Sequence, residues 1–191
     1  MRLRSCRAVA LFLLIASAGG GSLVASTSFA TETAAGVSEE TRARFEYLSR
    51  NGNSNCSQEF MAVIPKMSLM ERLQGSCCTP MDLHRYAEQV DGLKAYREIA
   101  VIPPDPYDIE AGLAAKLMSS DAMELSPGEQ AEYDYAMANS AEHGPCCCRC
   151  WRWKVYGGLA KSLIRNQQFS GKQVTEIWDL SNGCGGGSDV H

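Results

Sequence analysis

The chain has 191 residues, nine cysteines and a formal charge of −4. That length suits one domain with a modest core. An acidic balance without a basic block excludes a nucleic-acid or anionic-membrane binder of the usual kind.

The first thirty residues read as a secretory signal. Arg2, Arg4 and Arg7 precede the apolar run 8–18, which is too short to span a bilayer comfortably. Ser28-Phe29-Ala30 offers small residues for cleavage after Ala30, with Ala25 as a second position. Adjacent twin arginines are missing, so general secretion to a periplasm or the outside is expected. Cys6 would leave with the signal, and an uncleaved anchor is the alternative. Removing residues 1–30 takes away three arginines and no acid, leaving a more acidic chain with eight cysteines. No second long apolar segment follows, so the mature protein is not expected in a membrane.

Residues 31–37 are small and polar, a flexible leader. Ser38 can cap a helix from Glu39 to Arg50, and Asn51-Gly52-Asn53 can end it. A second helix is expected from Cys56 to Ile64, stopped by Pro65. Ser68 with Glu71 fits a capping box for a short helix. Thr79-Pro80-Met81-Asp82 predicts a longer helix to about Glu98, with Leu83, Tyr86, Val90 and Leu93 on one face. Pro103, Pro104 and Pro106 make 101–107 an extended strap. Asp108 can cap a helix from Ile109 to Ser120, and Ser126 with Pro127 and Glu129 can open one reaching Glu142. Pro145 suits the first position of a helix to Asn166, and Ser170 with Gln173 opens a last one. No stretch alternates long enough for a strand. The expectation is a single all-α domain of about seven helices over 38–184, with a glycine-rich tail at 185–191.

The chemistry-bearing residues are sulfurs. Cys146, Cys147, Cys148 and Cys150 lie within five positions, and Cys77-Cys78 form a second cluster. Adjacent cysteines cannot all form ordinary structural disulfides, because a bridge between neighbours closes a small strained ring. If Pro145 starts a helix, Cys146 and Cys147 each share a face with Cys150, while Cys148 points elsewhere unless the first turn is not helical. A tetrahedral site then needs ligands from a second segment. Cys77 and Cys78, also expected at a helix start, are the natural donors, and two helix N-termini would favour thiolate. The predicted ligands are Cys77, Cys78, Cys146, Cys147 and Cys150, with Cys148, His143 and Cys184 as weaker candidates. Cys56 and Cys184 are candidates for a structural disulfide. Thiolate ligation selects soft or borderline ions: copper as Cu(I), mercury as Hg(II), or zinc. An iron–sulfur cluster fits poorly with export of an unfolded chain.

The expected function is soft-metal binding as chaperone, sensor or sink. A disulfide-stapled interaction domain is the alternative, since eight cysteines in an exported chain allow four bridges. A thiol–disulfide oxidoreductase comes third: Cys147 and Cys150 have the C-x-x-C spacing, but no strand–turn–helix surrounds them. No Ser/His/Asp arrangement, catalytic carboxylate pair or phosphate loop is present, so no catalytic residue is assigned. His84, beside Asp82 and Arg85, reads as a surface histidine. Of Trp151 and Trp153, one is expected in the core and the other over the thiols. The partner is a metal ion or a thiol compound.

Overall fold

The computed structural model describes residues 36–185. The signal sequence, residues 31–35 of the leader and residues 186–191 of the tail lie outside the described residues. Among the described residues there are seven α-helices and one small sheet: α1 (Glu39–Asn51), α2 (Gln58–Val63), β1 (Arg72–Gln74), α3 (Leu83–Leu93), β2 (Asp108–Glu110), α4 (Ala111–Ser120), α5 (Pro127–Asn139), α6 (Trp151–Gln167) and α7 (Gly171–Ser181). The mainly helical expectation is met in that form, and the sheet is an addition to it.

Helices form where capping chemistry and apolar periodicity agree. Ser38 accepts from the Thr41 amide and opens α1. Ser126 and Ser170 open α5 and α7 with complete capping boxes, closed by Glu129 and Gln173. α6 is buried nearly all round, through Trp151, Val155, Tyr156, Leu159, Leu163 and Ile164 among others, so it is the central rod. It packs on α4, α5 and α7. Gly158 permits the closest of these approaches: a Cβ there would collide with the Leu117 carbonyl of α4. The pair Gly157-Gly158 therefore serves close helix contact.

Several helix starts differ from the sequence reading, and α2 begins at Gln58, capped by Ser57, rather than at Cys56. α3 opens at Leu83, capped by Asp82, whose carboxylate accepts from the Arg85 amide. Thr79 and Pro80 stay outside, because their backbone is engaged with the C-terminal segment: the Thr79 amide donates to the Cys184 carbonyl (2.9 Å), and the Asp82 amide to the Gly185 carbonyl (3.2 Å). α6 opens at Trp151 rather than Pro145. Residues 141–150 make a chain of turns and bends instead, entered through His143 at φ 49°.

A further difference is the sheet. Ser68 opens no helix; 72–74 pairs antiparallel with 108–110, in the register Arg72↔Glu110, Leu73↔Ile109, Gln74↔Asp108. Leu73 and Ile109 bury their side chains opposite each other. Asp108 does not cap α4, which starts after Glu110 without a side-chain cap. Its carboxylate instead accepts from Arg72 (2.8 Å), from Gln74 (3.2 Å) and from Arg44 of α1. Three-residue strands carry too little alternation to be seen in a sequence. The segment before β2 is not the extended strap that its prolines suggest: 101–107 is made of turns and bends, with the Ile102 amide donating to the Ile99 carbonyl (2.9 Å) and the Asp108 amide to the Asp105 carbonyl (3.2 Å).

Candidate metal centre

Four segments converge beside the N-terminus of α6. Cys56 lies just before α2, Cys77 and Cys78 in the loop between β1 and α3, Cys146 to Cys150 in the turn before α6, and Cys184 just after α7. Backbone hydrogen bonds hold the C-terminal segment against the Cys77–Asp82 loop. The Cys77 amide donates to the Gly183 carbonyl (3.4 Å), and both the amide and the hydroxyl of Thr79 donate to the Cys184 carbonyl (2.9 Å each). The Asn182 side chain accepts from the Cys184 amide (3.1 Å), fixing the turn that aims this cysteine.

All eight described cysteines are free. Their sulfurs form one contiguous group. Cys56 Sγ lies 3.2 Å from Cys78 and 3.3 Å from Cys148. Cys78 lies 3.6 Å from Cys148 and 4.0 Å from Cys147, joining the two sequence clusters. Cys184 lies 2.7 Å from Cys147 and 3.1 Å from Cys146. None of these is a bonded pair, for which about 2.05 Å is required. Four tetrahedral ligands on bonds of about 2.3 Å stand about 3.8 Å apart; the Cys78–Cys148 and Cys78–Cys147 separations are near that value, while the Cys56 and Cys184 pairs stand closer.

Within this group three quartets have all four sulfurs within 4.8 Å of one another: Cys56, Cys77, Cys148 and Cys150; Cys77, Cys78, Cys148 and Cys184; Cys146, Cys147, Cys148 and Cys184. Each could hold a metal ion. Together they draw in all five cysteines expected as ligands. They also include Cys56, expected only as a bridge partner, and Cys184. Cys148, expected to point away, is the member common to all three. The reason is local: its turn is not helical, so consecutive side chains are not spread by 100° each, and three neighbouring thiols can face one pocket. His143 is exposed and belongs to none of the quartets. His84 is exposed on α3.

From the sequence, Arg152 reads with Arg149 and Lys154 as a group that could offset thiolate charge, a solvated face being the default. Arg152 is fully buried among the large core side chains. It donates to the Gly75 carbonyl (2.9 Å) and to the Pro106 carbonyl, and stacks over the Trp151 ring at 4.5 Å. No carboxylate pairs with it among the described residues, and its Nε–H has no hydrogen-bond partner. A buried cation needs a counter-charge. Burial works against its charge, yet the charge on Cys77 foremost, with Tyr156 and Cys146, outweighs it and raises the guanidinium above its ordinary range. The signal available in the sequence was an arginine between two tryptophans at the start of an otherwise apolar helix.

Protons are shared unevenly among the sulfurs. Cys77 is held far below the ordinary thiol range by hydrogen bonds from the thiols of Cys146, Cys150 and Cys184, and by Arg152. Cys148 falls to about 4, chiefly through the thiol of Cys146. Cys146 is correspondingly pushed up by the bonds it gives, first to Cys148. Burial raises Cys56 and Cys78. Thiolate therefore concentrates on Cys77 and Cys148, the two sulfurs shared between the first two quartets.

Cys146, Cys150 and Cys184 are buried; Cys78 and Cys147 are exposed at the residue level. Trp151 is fully buried, and Phe60 lies against it with ring centres 6.2 Å apart. Trp153 is half-buried, and the exposed Arg149 guanidinium sits over its ring at 5.2 Å. The pocket thus has a buried floor and an open edge.

The chain matches no protein-family model, no curated protein and no solved structure.

Proposed function

We propose that this protein binds soft or borderline metal ions, Cu(I), Hg(II) or Zn(II), through thiolates, and serves as a store, sensor or carrier of the ion. The observation that carries the reading is the convergence of eight free sulfurs from four chain segments. Arg152 supports it independently: a fully buried guanidinium without a carboxylate fits a pocket that stays anionic, and four disulfides would leave it uncompensated. Sulfurs this close together leave no room for the inorganic sulfides of a cubane, where each cysteine caps a different iron. Thiolate, not thiol, is the ligand, so binding releases the protons still held by the raised cysteines. The open edge at Cys78 and Cys147 gives an ion a route in by stepwise exchange from a thiol-bearing donor.

The basic start, apolar run and Ser28-Phe29-Ala30 support action outside the cytoplasm after cleavage near Ala30. There a bound ion would also protect the thiols from oxidation. N-terminal sequencing of the protein from its native compartment tests this, and an intact Met1 there would refute cleavage.

The metal reading is tested by anaerobic purification from that compartment, followed by metal analysis and thiol titration. The expected result is stoichiometric metal, with thiols that react with alkylating reagent only after chelation. Four intact disulfides and no metal would overturn it in favour of a stapled interaction domain.

A further inference from the structure

We propose that the pocket binds a sulfur-bridged cluster of several monovalent d¹⁰ ions, Cu(I) in chemical terms, with Cys148 as the sulfur shared by all of them. This rests on the thiolate-binding reading above and specifies its stoichiometry, its ion and its central ligand.

The argument begins with overlap. Each of the three quartets contains Cys148, so no two of them can be filled by separate, unbridged ions. The first and second also share Cys77, and the second and third also share Cys184. Neighbouring ions in such an arrangement are joined through two sulfurs, along an edge of each tetrahedron. The five remaining cysteines, Cys56, Cys78, Cys146, Cys147 and Cys150, each belong to one quartet. The pocket therefore has a shared centre and a periphery of terminal ligands.

Edge sharing then selects the charge of the ion. With metal–sulfur bonds of about 2.3 Å in tetrahedral geometry, two ions bridged by two sulfurs lie about 2.7 Å apart. Their repulsion scales with the product of the charges, so two divalent ions repel about four times as strongly as two monovalent ones. Zn(II) and Hg(II) can enter one quartet, but filling adjacent quartets is disfavoured. Cu(I) combines the single charge with the preference for thiolate. Of the bridging sulfurs, Cys184 is buried and Cys77 and Cys148 are half-buried, above the buried Cys146 and Cys150. Arg152 lies next to Cys77, one of the bridging sulfurs, and offsets part of the remaining negative charge.

The test uses the full chain, reduced and free of metal, under anaerobic conditions. It is titrated with Cu(I) as its acetonitrile complex in one arm and with Zn(II) in the other. Native mass spectrometry counts ions, and X-ray absorption reads copper–copper scattering. The expected result is about three Cu(I) per chain, one for each quartet, with a copper–copper distance near 2.7 Å and with fewer Zn(II) at saturation. Cys148→Ser should abolish the copper–copper signal, and Cys150→Ser, which touches one quartet, should remove about one ion and keep it. Saturation at a single Cu(I) without copper–copper scattering overturns the bridged cluster and leaves metal binding standing. Equal loading by Zn(II) overturns the charge selection. Uptake of neither ion sinks the metal-binding function itself. If circular dichroism shows Cys148→Ser to be unfolded, the copper–copper signal of the unmutated chain still decides.

Discussion

One helix, α6, serves two neighbourhoods built on different principles. Along most of its length Val155, Tyr156, Leu159, Leu163 and Ile164 are buried against α4, α5 and α7. Before its first turn lies the sulfur pocket, made of non-helical segments and bordered by Arg152. The first region is held by apolar burial, which is non-directional and spread over many contacts. The second is held by a few directed bonds: Cys184 against Thr79, Gly183 against Cys77, and Arg152 against Gly75 and Pro106. Directed bonds fix sulfurs to within the tolerance of a coordination sphere, which an apolar helix face does not do. They also concentrate the risk, because each bond has no substitute.

The comparison is broken most severely at Arg152. Arg152→Met should cost about 3–5 kcal/mol, the loss expected when one partner of a buried charge pair is removed, measured by urea unfolding of the reduced protein. The loss should shrink when the sulfurs are oxidised to disulfides, since the thiolate charge that Arg152 offsets is then gone, and should persist with metal bound, where the pocket stays anionic. Equal destabilisation in all states would mean the guanidinium is only a packing and carbonyl-bonding group.

The helical side is probed at its tightest contact. Gly158→Ala places a methyl against the Leu117 carbonyl and should cost about 1–3 kcal/mol by forcing α4 and α6 apart. Metal stoichiometry should stay unchanged in the same variant. A fall in metal uptake would show that α4–α6 spacing governs the pocket too, and that the two regions are not separable.

The smallest effect is expected at a helix end far from the sulfurs. Ser126→Ala removes the cap of α5 and should cost about 1 kcal/mol, read by thermal unfolding. The same capping box carries an acid response. Arg165 foremost, with the Ser126 amide, lowers the Glu129 carboxyl to about 2. Its contribution is therefore complete above the ordinary carboxyl pKa of 4.5 and is lost as pH falls through about 2. Glu129→Gln should remove that part of the acid dependence while leaving thiol reactivity unaltered.

The capping boxes at Ser126 and Ser170, the cap at Ser38, and the burial of Tyr86 and Leu93 on one face of α3 were legible because they depend on residues within one or two turns of each other. So was the importance of the two cysteine clusters, from composition and spacing alone. Thr79-Pro80 and Pro145 illustrate the boundary. Both have good helix-start chemistry, worth about 1 kcal/mol of preference, and both lie outside a helix. At Thr79 long-range backbone bonds to Cys184 claim the same groups. The strands at 72–74 and 108–110 depend on each other across more than thirty residues, and neither alone carries a signal.

The sequence by itself determined the sulfur count, the mainly helical framework and the pairing of two thiol clusters as the place to look. Only the tertiary structure decided which sulfurs meet. Cys56 and Cys184 arrive from segments that no local pattern connects to Cys146–Cys150, and Cys148 becomes central because its turn is not a helix. The counter-charge at Arg152 was likewise decided by burial, a property of the assembled fold rather than of the residue. Helix starts are short-range balances of a kilocalorie or so. A shared pocket is a long-range arrangement, fixed only when distant segments have found one another.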